Sequence, residues 1–278
     1  MPALRTDAVV LHVFDYLETS RILRLATREA GMQSVLARGA RRPRSRYGTA
    51  LDLFASGTAD LYVKPGRDLH TLAAFDVNCS RGQLGADLER FTAASAIAEL
   101  AMRFGTSEAH PELYDVLVAT LDTIAVSPPG ASTDAALGGA WHLIAHLGFA
   151  PAVDTCASCH ASVPADVAAS FSHPAGGVLC RRCATLAGNS RTLPGTAREV
   201  LRAWLAGGSA SLADAPERRA HQRLLREFLT EQLADGRPLR AYEVWEHSGW
   251  TAAPGAGPHD LEPPAAEGAA PTRSEAVS

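Results

Sequence analysis

The sequence predicts an α+β multidomain chain: a small N-terminal β-barrel, then an all-α domain into which a four-cysteine zinc-ribbon-like module is inserted. Three observations predict it. Apolar and polar residues alternate with period two from Asp7 to about Asn78. The period then lengthens to about 3.6. Two Cys-x-x-Cys pairs interrupt the helical stretch.

The first strand is read over Ala8 to Phe14. In Ile22 to Thr27, Ile22, Arg24 and Ala26 share one face while Leu23 and Leu25 share the other. Gln33 to Arg38 follows the turn Glu29-Ala30-Gly31. Leu51 to Val63 and Leu69 to Val77 flank Lys64-Pro65-Gly66-Arg67-Asp68, a Pro-Gly turn. About five short strands call for closure, which removes exposed edges. Five is the strand number of an oligonucleotide-binding (OB) barrel, although SH3-like barrels give a similar pattern. Helical spacing follows in Leu84, Leu88, Phe91, Ile97, Leu100 and Phe104, and again in Leu113, Val116, Leu117, Leu121 and Ile124. A third helix is expected to be capped by Thr133, to run through Leu137, Trp141 and Ile144, and to stop at Gly148. After the insert, Thr196-Ala197-Arg198-Glu199 reads as a capping box, and Pro216 opens a longer helix through Leu224, Phe228 and Leu229. Neither helical block has enough apolar faces to close a core alone, so the two are expected to pack together.

The boundaries expected are 1–80 for the barrel, 81–250 for the helical domain with 152–188 as the inserted module, and 251–278 as a disordered tail. In that tail 16 of 28 residues are Ala, Gly or Pro, too few large apolar groups to offset ordering entropy. No run of 18 or more apolar residues occurs and the N-terminus lacks a signal layout, so no membrane association and a cytoplasmic location are expected.

Cys156-Ala157-Ser158-Cys159 and Cys180-Arg181-Arg182-Cys183 enclose 20 residues. Two such turns brought together give a tetrahedral four-sulfur site for one structural Zn2+, with Phe171-Ser172 and Val178-Leu179 as strands of a ribbon. A redox dithiol and inert thiols are the alternatives; a thioredoxin-like context is absent. His160 and His173 are read as surface or supporting residues, and Cys79 as a small buried apolar one.

The 278-residue chain has a net charge of −4, which by itself speaks against a nucleic-acid partner. The charge is unevenly spread: +3 over residues 1–80, −7 over 81–180, +5 over 181–227 and −5 over 228–278. Arg38, Arg41, Arg42, Arg44 and Arg46 fall within nine residues, and no acid lies between Glu29 and Asp52. Pro43 forbids a helix there, so the guanidinium groups are expected on a flexible loop with nothing to neutralise them, as phosphate tracking requires. A solvated face is the alternative. Tyr47, Phe54, Tyr62 and Phe75 are candidate base-stacking platforms, for which the core competes. A second basic stretch, Arg181, Arg182, Arg191, Arg198 and Arg202, reads equally as an extension of the phosphate path or as a solvated face. Arg218, Arg219, Arg223 and Arg226 read as a solvated helix side.

The sequence contains no G-x-x-x-x-G-K-[ST], G-x-S-x-G or H-E-x-x-H, and its barrel carboxylates are scattered. His142 and His146 have metal-like spacing but no evident third ligand. An enzyme is therefore not expected.

Several stretches, taken in order, carry a family resemblance. They are Asp7-Ala8-Val9-Val10-Leu11, Tyr16-Leu17-Glu18-Thr19-Ser20-Arg21, Thr27-Arg28-Glu29-Ala30-Gly31, Ala37 to Arg46, Asp87-Leu88-Glu89-Arg90, Leu147 to Pro151, and Gly176-Gly177-Val178-Leu179-Cys180. From about residue 4 to 235 the chain resembles the bacterial RecO family of DNA repair and recombination mediators. That resemblance implies an OB barrel followed by a helical domain holding a zinc module. It implies binding of single- and double-stranded DNA, ATP-independent annealing, and action with RecR in loading RecA onto DNA coated by single-strand-binding protein (SSB). It places the zinc ligands at Cys156, Cys159, Cys180 and Cys183 and the DNA contacts on the loop Arg38 to Arg46. It implies docking of the SSB C-terminal tail on the helical domain, and a nucleoid-associated location.

Overall fold

The computed structural model describes residues 3–47, 50–64, 66–165, 167–232 and 237–248; the expected tail lies outside them. Five strands, β1 (Ala3–Tyr16), β2 (Ser20–Thr27), β3 (Gly31–Ala37), β4 (Ser56–Tyr62) and β5 (Leu69–Cys79), close into a barrel in the order β1-β2-β3-β5-β4. β3 and β5 run parallel, and the other pairings are antiparallel. This is the OB-like arrangement. Ala8, Val10, Leu23, Leu25, Val35, Leu61 and Leu72 alternate inward along their strands and fill the barrel. The fourth strand starts at Ser56 and not at Leu51, because Leu51 and Phe54 turn into the interior and Phe54 donates its N–H to the Val10 carbonyl at 2.8 Å. Cys79 is only half-buried, since it ends its strand at the barrel rim.

A bulge shifts the β1–β2 register between Val10 and His12. Before it, Val9 and Leu11 face the helices; beyond it, His12, Phe14 and Tyr16 face solvent. The β2–β3 turn abuts the helical domain at Gly31. Its φ is +61°, and a Cβ there would sit 2.2 Å from the Glu108 carbonyl oxygen, so only glycine fits.

Helices α1 (Gly82–Ala86) and α2 (Leu88–Phe104) are separated at Asp87, whose carboxylate caps α2 by accepting from the Arg90 N–H at 2.8 Å. Leu88 and Phe91, expected on the buried face, are 66% and 38% exposed. α3 (Pro111–Val126) and α4 (Ser132–His146) follow. Thr133 does not cap α4: the helix starts one residue earlier, and the Ser132 hydroxyl donates to Glu89 at 2.6 Å. Gly148, with φ +85°, follows the end of α4 as expected. The insert contributes β6 (Ala169–Ser172), β7 (Gly177–Leu179) and the short α5 (Arg181–Ala187). β8 (Arg191–Leu193), unexpected from the sequence, pairs antiparallel with β6. α6 (Gly195–Leu205), α7 (Ala215–Gln232) and α8 (Arg240–Ser248) return to the first helical block. The Thr196 capping box does not form, as α6 begins at Gly195 after Pro194; α7 is capped instead by Asp214, which accepts from the Glu217 N–H at 2.8 Å. Trp141 of α4 lies 5.3 Å from Phe228 of α7, and Tyr242 and Trp245 of α8 are buried. A single apolar cluster thus takes residues from both helical blocks, the insert and the barrel.

Arg81 joins barrel to helices. Its buried guanidinium donates to the Phe54 carbonyl, the Ser56 hydroxyl and Asp122, each at 2.7 Å. Nearer the turn at Gly31, Arg28 makes a two-pronged pair with Asp115 of α3.

His221 of α7 is buried, edge-on to Trp204 at 5.1 Å, with neither ring nitrogen hydrogen-bonded to protein. Burial lowers its pKa, against the raising effect of Glu217 and Asp134. A depressed folded value means that the unfolded chain binds the proton more readily. Stability is therefore complete above ~6.5 and is lost as pH falls toward the folded value. We expect the thermal midpoint to drop between about pH 7 and 5, and to drop less in His221→Phe, which keeps the ring contact. Calorimetry across that range checks it, and an identical pH dependence in the variant would refute the assignment.

Candidate metal centre and nucleic-acid interface

The four cysteines come from two turns held by backbone pairing. In the first, the His160 N–H bonds the Cys156 carbonyl at 2.8 Å with His160 at φ +60°, and the Cys156 N–H bonds the Ala161 carbonyl at 2.8 Å. In the second, Cys180 stands at the N-terminus of α5 and Cys183 lies in its first turn. The ribbon β6–β7 has the strands the spacing implied, and the Ala157 N–H bonds the Val178 carbonyl at 2.8 Å to tie the turns together. All four sulfurs lie within 4.8 Å of one another, with Cys159 and Cys180 3.7 Å apart. Four thiolates at ~2.3 Å around one ion stand ~3.8 Å apart, so the donor set fits a tetrahedral metal. Burial raises the Cys156 thiol pKa, but backbone N–H groups of Cys180, Cys159 and Ser158 outweigh it and bring the value down to about 6. Hydrogen bonding with Cys159 and Cys180 pushes Cys183 up to about 12, so without a metal the first negative charge of the cluster settles at Cys156 and not at Cys183. A metal ligand needs that thiolate.

Arg198 supports this module from α6. It has no solvent exposure, and its guanidinium donates to the carbonyls of Val153 (2.5 Å), Val163 (2.8 Å) and Pro164. Arg202, one turn on, donates to Asp154 at 2.7 Å and thereby lowers that carboxyl's pKa. Arg191 pairs with Glu227 at 2.9 Å. The expectation that this stretch extends a phosphate path or forms a solvated face is corrected for Arg198, which is buried. Arg191 and Arg202 keep 63% and 32% of their side-chain surface while pairing with carboxylates across the junction, and Arg181 and Arg182 are exposed with no ion pair among the described residues. The helix arginines are also partly engaged, Arg218 with Asp134 at 2.8 Å and Arg226 with Glu246 at 2.5 Å. His142 and His146 approach to 3.2 Å, but the cysteines alone form a metal-like group of three or more among the described residues.

The arginine loop leaves β3 at the barrel surface. It is anchored and not loose: Ala40 and Tyr47 are buried, the Tyr47 hydroxyl donates to the Leu72 carbonyl at 2.8 Å, and the Arg41 N–H bonds the Thr19 carbonyl at 2.9 Å. Nor is it wholly unneutralised, because the β1–β2 hairpin brings Asp15 within 3.6 Å of Arg41. Arg46 lies 4.9 Å from the Tyr47 ring centre and donates to its hydroxyl. Arg38, Arg42 and Arg44 are exposed, with no partner recorded among the described residues. Of the four aromatic candidates, Tyr47, Phe54 and Phe75 belong to the core, which leaves only Tyr62 exposed. The sequence reading missed Phe14 and Tyr16, 48% and 40% exposed; alternation with inward Val13 was the signal that could have found them.

The two parts of this architecture match two family models, "Recombination protein O N terminal" over residues 1–81 and "Recombination protein O C terminal" over residues 85–241. The chain belongs to the RecO family. It is 36% identical to the DNA repair protein RecO of Anaeromyxobacter sp. (strain K) over 257 residues, covering 90% of this chain and 98% of that one. RecO of Frankia casuarinae is 35% identical over 189 residues, 66% of this chain and 74% of that one. A role in DNA repair and recombination follows from this RecO membership. No described helix is long and apolar enough to cross a membrane.

The Arg198 clamp can be tested directly. Arg198→Ala leaves three loop carbonyls without their donor, and we expect a loss of ~3 kcal/mol in urea denaturation. A change under about 0.5 kcal/mol would show that the module holds itself.

Proposed function

We propose that the chain is a non-enzymatic recombination mediator that binds single- and double-stranded DNA and anneals complementary strands without ATP. The observation that carries this reading is the set of exposed arginines, Arg38, Arg42 and Arg44, with no partners among the described residues, on an anchored loop of the barrel. Arg41 and Arg46 complete the proposed DNA contact. Guanidinium groups pair with phosphate oxygens, release counterions and leave base edges available. Holding one strand this way reduces the repulsion that a second polyanion meets as it pairs. The acidic stretches 81–180 and 228–278 disfavour contact there. RecR and the acidic, apolar C-terminal tail of SSB are the proposed protein partners, and loading of RecA onto SSB-coated DNA is the proposed outcome, at the nucleoid. We divide the chain for this purpose into the barrel (1–80), the helical domain (81–250) with the inserted module (152–188), and a tail (251–278).

The metal in this reading is one Zn2+ held by Cys156, Cys159, Cys180 and Cys183. It would cross-link the two turns and, with four protein ligands, leave no position for a reacting water. Its role is structural.

Changing Arg38, Arg42 and Arg44 together to Ala should lower affinity for a single-stranded oligonucleotide roughly a hundredfold at about 50 mM salt. It should also flatten the log–log salt slope by ~2. Fluorescence anisotropy over a salt series checks both, and undiminished binding by a folded variant would falsify the assignment. For the metal, elemental analysis of the purified chain should find about one zinc per molecule, and Cys156→Ser should abolish it. A folded, fully reduced wild-type preparation free of zinc would exclude the site.

A further inference from the structure

The barrel carries a second feature beside the arginine loop. Past the bulge, β1 turns His12, Phe14 and Tyr16 outward, with the His12 and Phe14 rings stacked at 4.1 Å between centroids. The register sets His12 opposite Arg24, Phe14 opposite Ile22 and Tyr16 opposite Ser20. On the next strand Arg24 faces Ser34, to which it donates at 2.6 Å, and Ile22 faces Leu36. β3 ends at the inward, buried Ala37, and Arg38, exposed, follows it as the first residue of the arginine loop. The result is a strip of exposed rings and half-buried apolar groups, bounded by Arg24 on one side and Arg38 on the other. Leu17, 76% exposed, stands at the hairpin tip.

Rings are costly to leave in water at a barrel edge, and Phe14 and Tyr16 stay uncovered among the described residues although α2 packs beside the same strand. Arg24 and Arg38 are the cations of the strip, and one exposed acid, Glu18, lies in the hairpin turn beyond Tyr16. Asp15, the nearest acid in the sequence, alternates away from Phe14 and Tyr16 and is occupied by Arg21 and Arg41. A ligand suited to this surface is a polyanion with flat apolar faces, and duplex DNA hides such faces inside its stack. Single-stranded DNA presents both.

Resting on the DNA-binding function proposed above, we propose that Phe14 and Tyr16, with His12 stacked on Phe14, form a base-stacking platform for single-stranded DNA whose phosphates run to Arg24 and Arg38. The arginines then supply strength on any nucleic acid, while the rings supply preference for unpaired bases. During annealing, a base would leave the ring face as it enters the duplex, so the platform holds a strand in readiness without reading its sequence.

The test uses the full chain, the double variant Phe14→Ala/Tyr16→Ala and three labelled probes: a short oligothymidylate, an abasic strand of equal length, and a short duplex. Wild type should bind oligothymidylate at least about tenfold more tightly than the abasic strand. The double variant should lose that gap, while its binding to abasic strand and duplex changes by less than about twofold. Phe14→Tyr/Tyr16→Phe, which keeps both rings, should retain the gap. A double variant that keeps the gap overturns the proposal and leaves the strip to a protein partner. Equal loss on all three probes also overturns it, since the rings would then act through the arginine loop. Wild type that binds oligothymidylate and abasic strand equally defeats this inference alone, whereas wild type that binds none of the probes defeats the DNA-binding reading with it.

Discussion

The junctions of this chain depend on loop carbonyls captured by buried guanidinium groups. Backbone carbonyls at a junction between modules cannot join a helix or a ladder, and leaving one buried and unpaired costs about 1–3 kcal/mol. Arg81 resolves this where barrel meets helices, at Phe54, and Arg198 where the four-cysteine module meets α6, at Val153, Val163 and Pro164. Each arginine supplies several donors from one rigid plane, which a lysine cannot do. Both are almost wholly removed from water, so their charge must be met locally, and Asp122 and Asp154 stand beside them. The modules are thereby fixed to one another by directional bonds in addition to shared apolar surface.

This use of arginine also organises the charge. Most basic side chains outside the loop have carboxylate or carbonyl partners, such as Arg28 with Asp115, Arg191 with Glu227 and Arg218 with Asp134. Arg67, Arg181, Arg182, Arg223 and Arg240 are also exposed, but they are scattered or in pairs; the loop after β3 sets five guanidinium groups within nine residues. A net charge of −4 therefore coexists with a local cationic surface, because the acids are concentrated in residues 81–180 and 228–278 while five arginines fall between residues 38 and 46.

How much of this was legible in the sequence depended on whether the deciding contact was local. The five strands were readable from alternation, and the ribbon from the cysteine spacing, since both are set by neighbours a few residues away. β8 was not, because three residues show no period and its pairing partner lies about 20 residues earlier. From sequence Arg198 reads equally as part of a phosphate path or of a solvated helix face; its burial is decided by loop carbonyls more than 30 residues distant. The loop's partial neutralisation by Asp15 is likewise a product of hairpin packing. Aromatic residues misled for a related reason: Tyr47, Phe54 and Phe75 sit near the basic loop in sequence or on the same barrel, yet the core claims them. Thr133 and Thr196 had sound capping patterns that lost to competing hydrogen bonds and to Pro194.

The bulge at Leu11 links these themes. If the same sequence paired without the bulge, the outward face of β1 that carries Val9 would continue as Leu11, Val13 and Asp15. Phe14 and Tyr16 would then point to the barrel interior, where Val10 and Leu23 already fill the space, and Asp15 would join the outer surface away from Arg21 and Arg41. With the bulge, the outward side of one strand does two things in succession: its first half seals the barrel against α2, and its second half presents rings beside the arginines. A single irregularity in register thus decides which residues stabilise the domain junction and which remain available for a ligand.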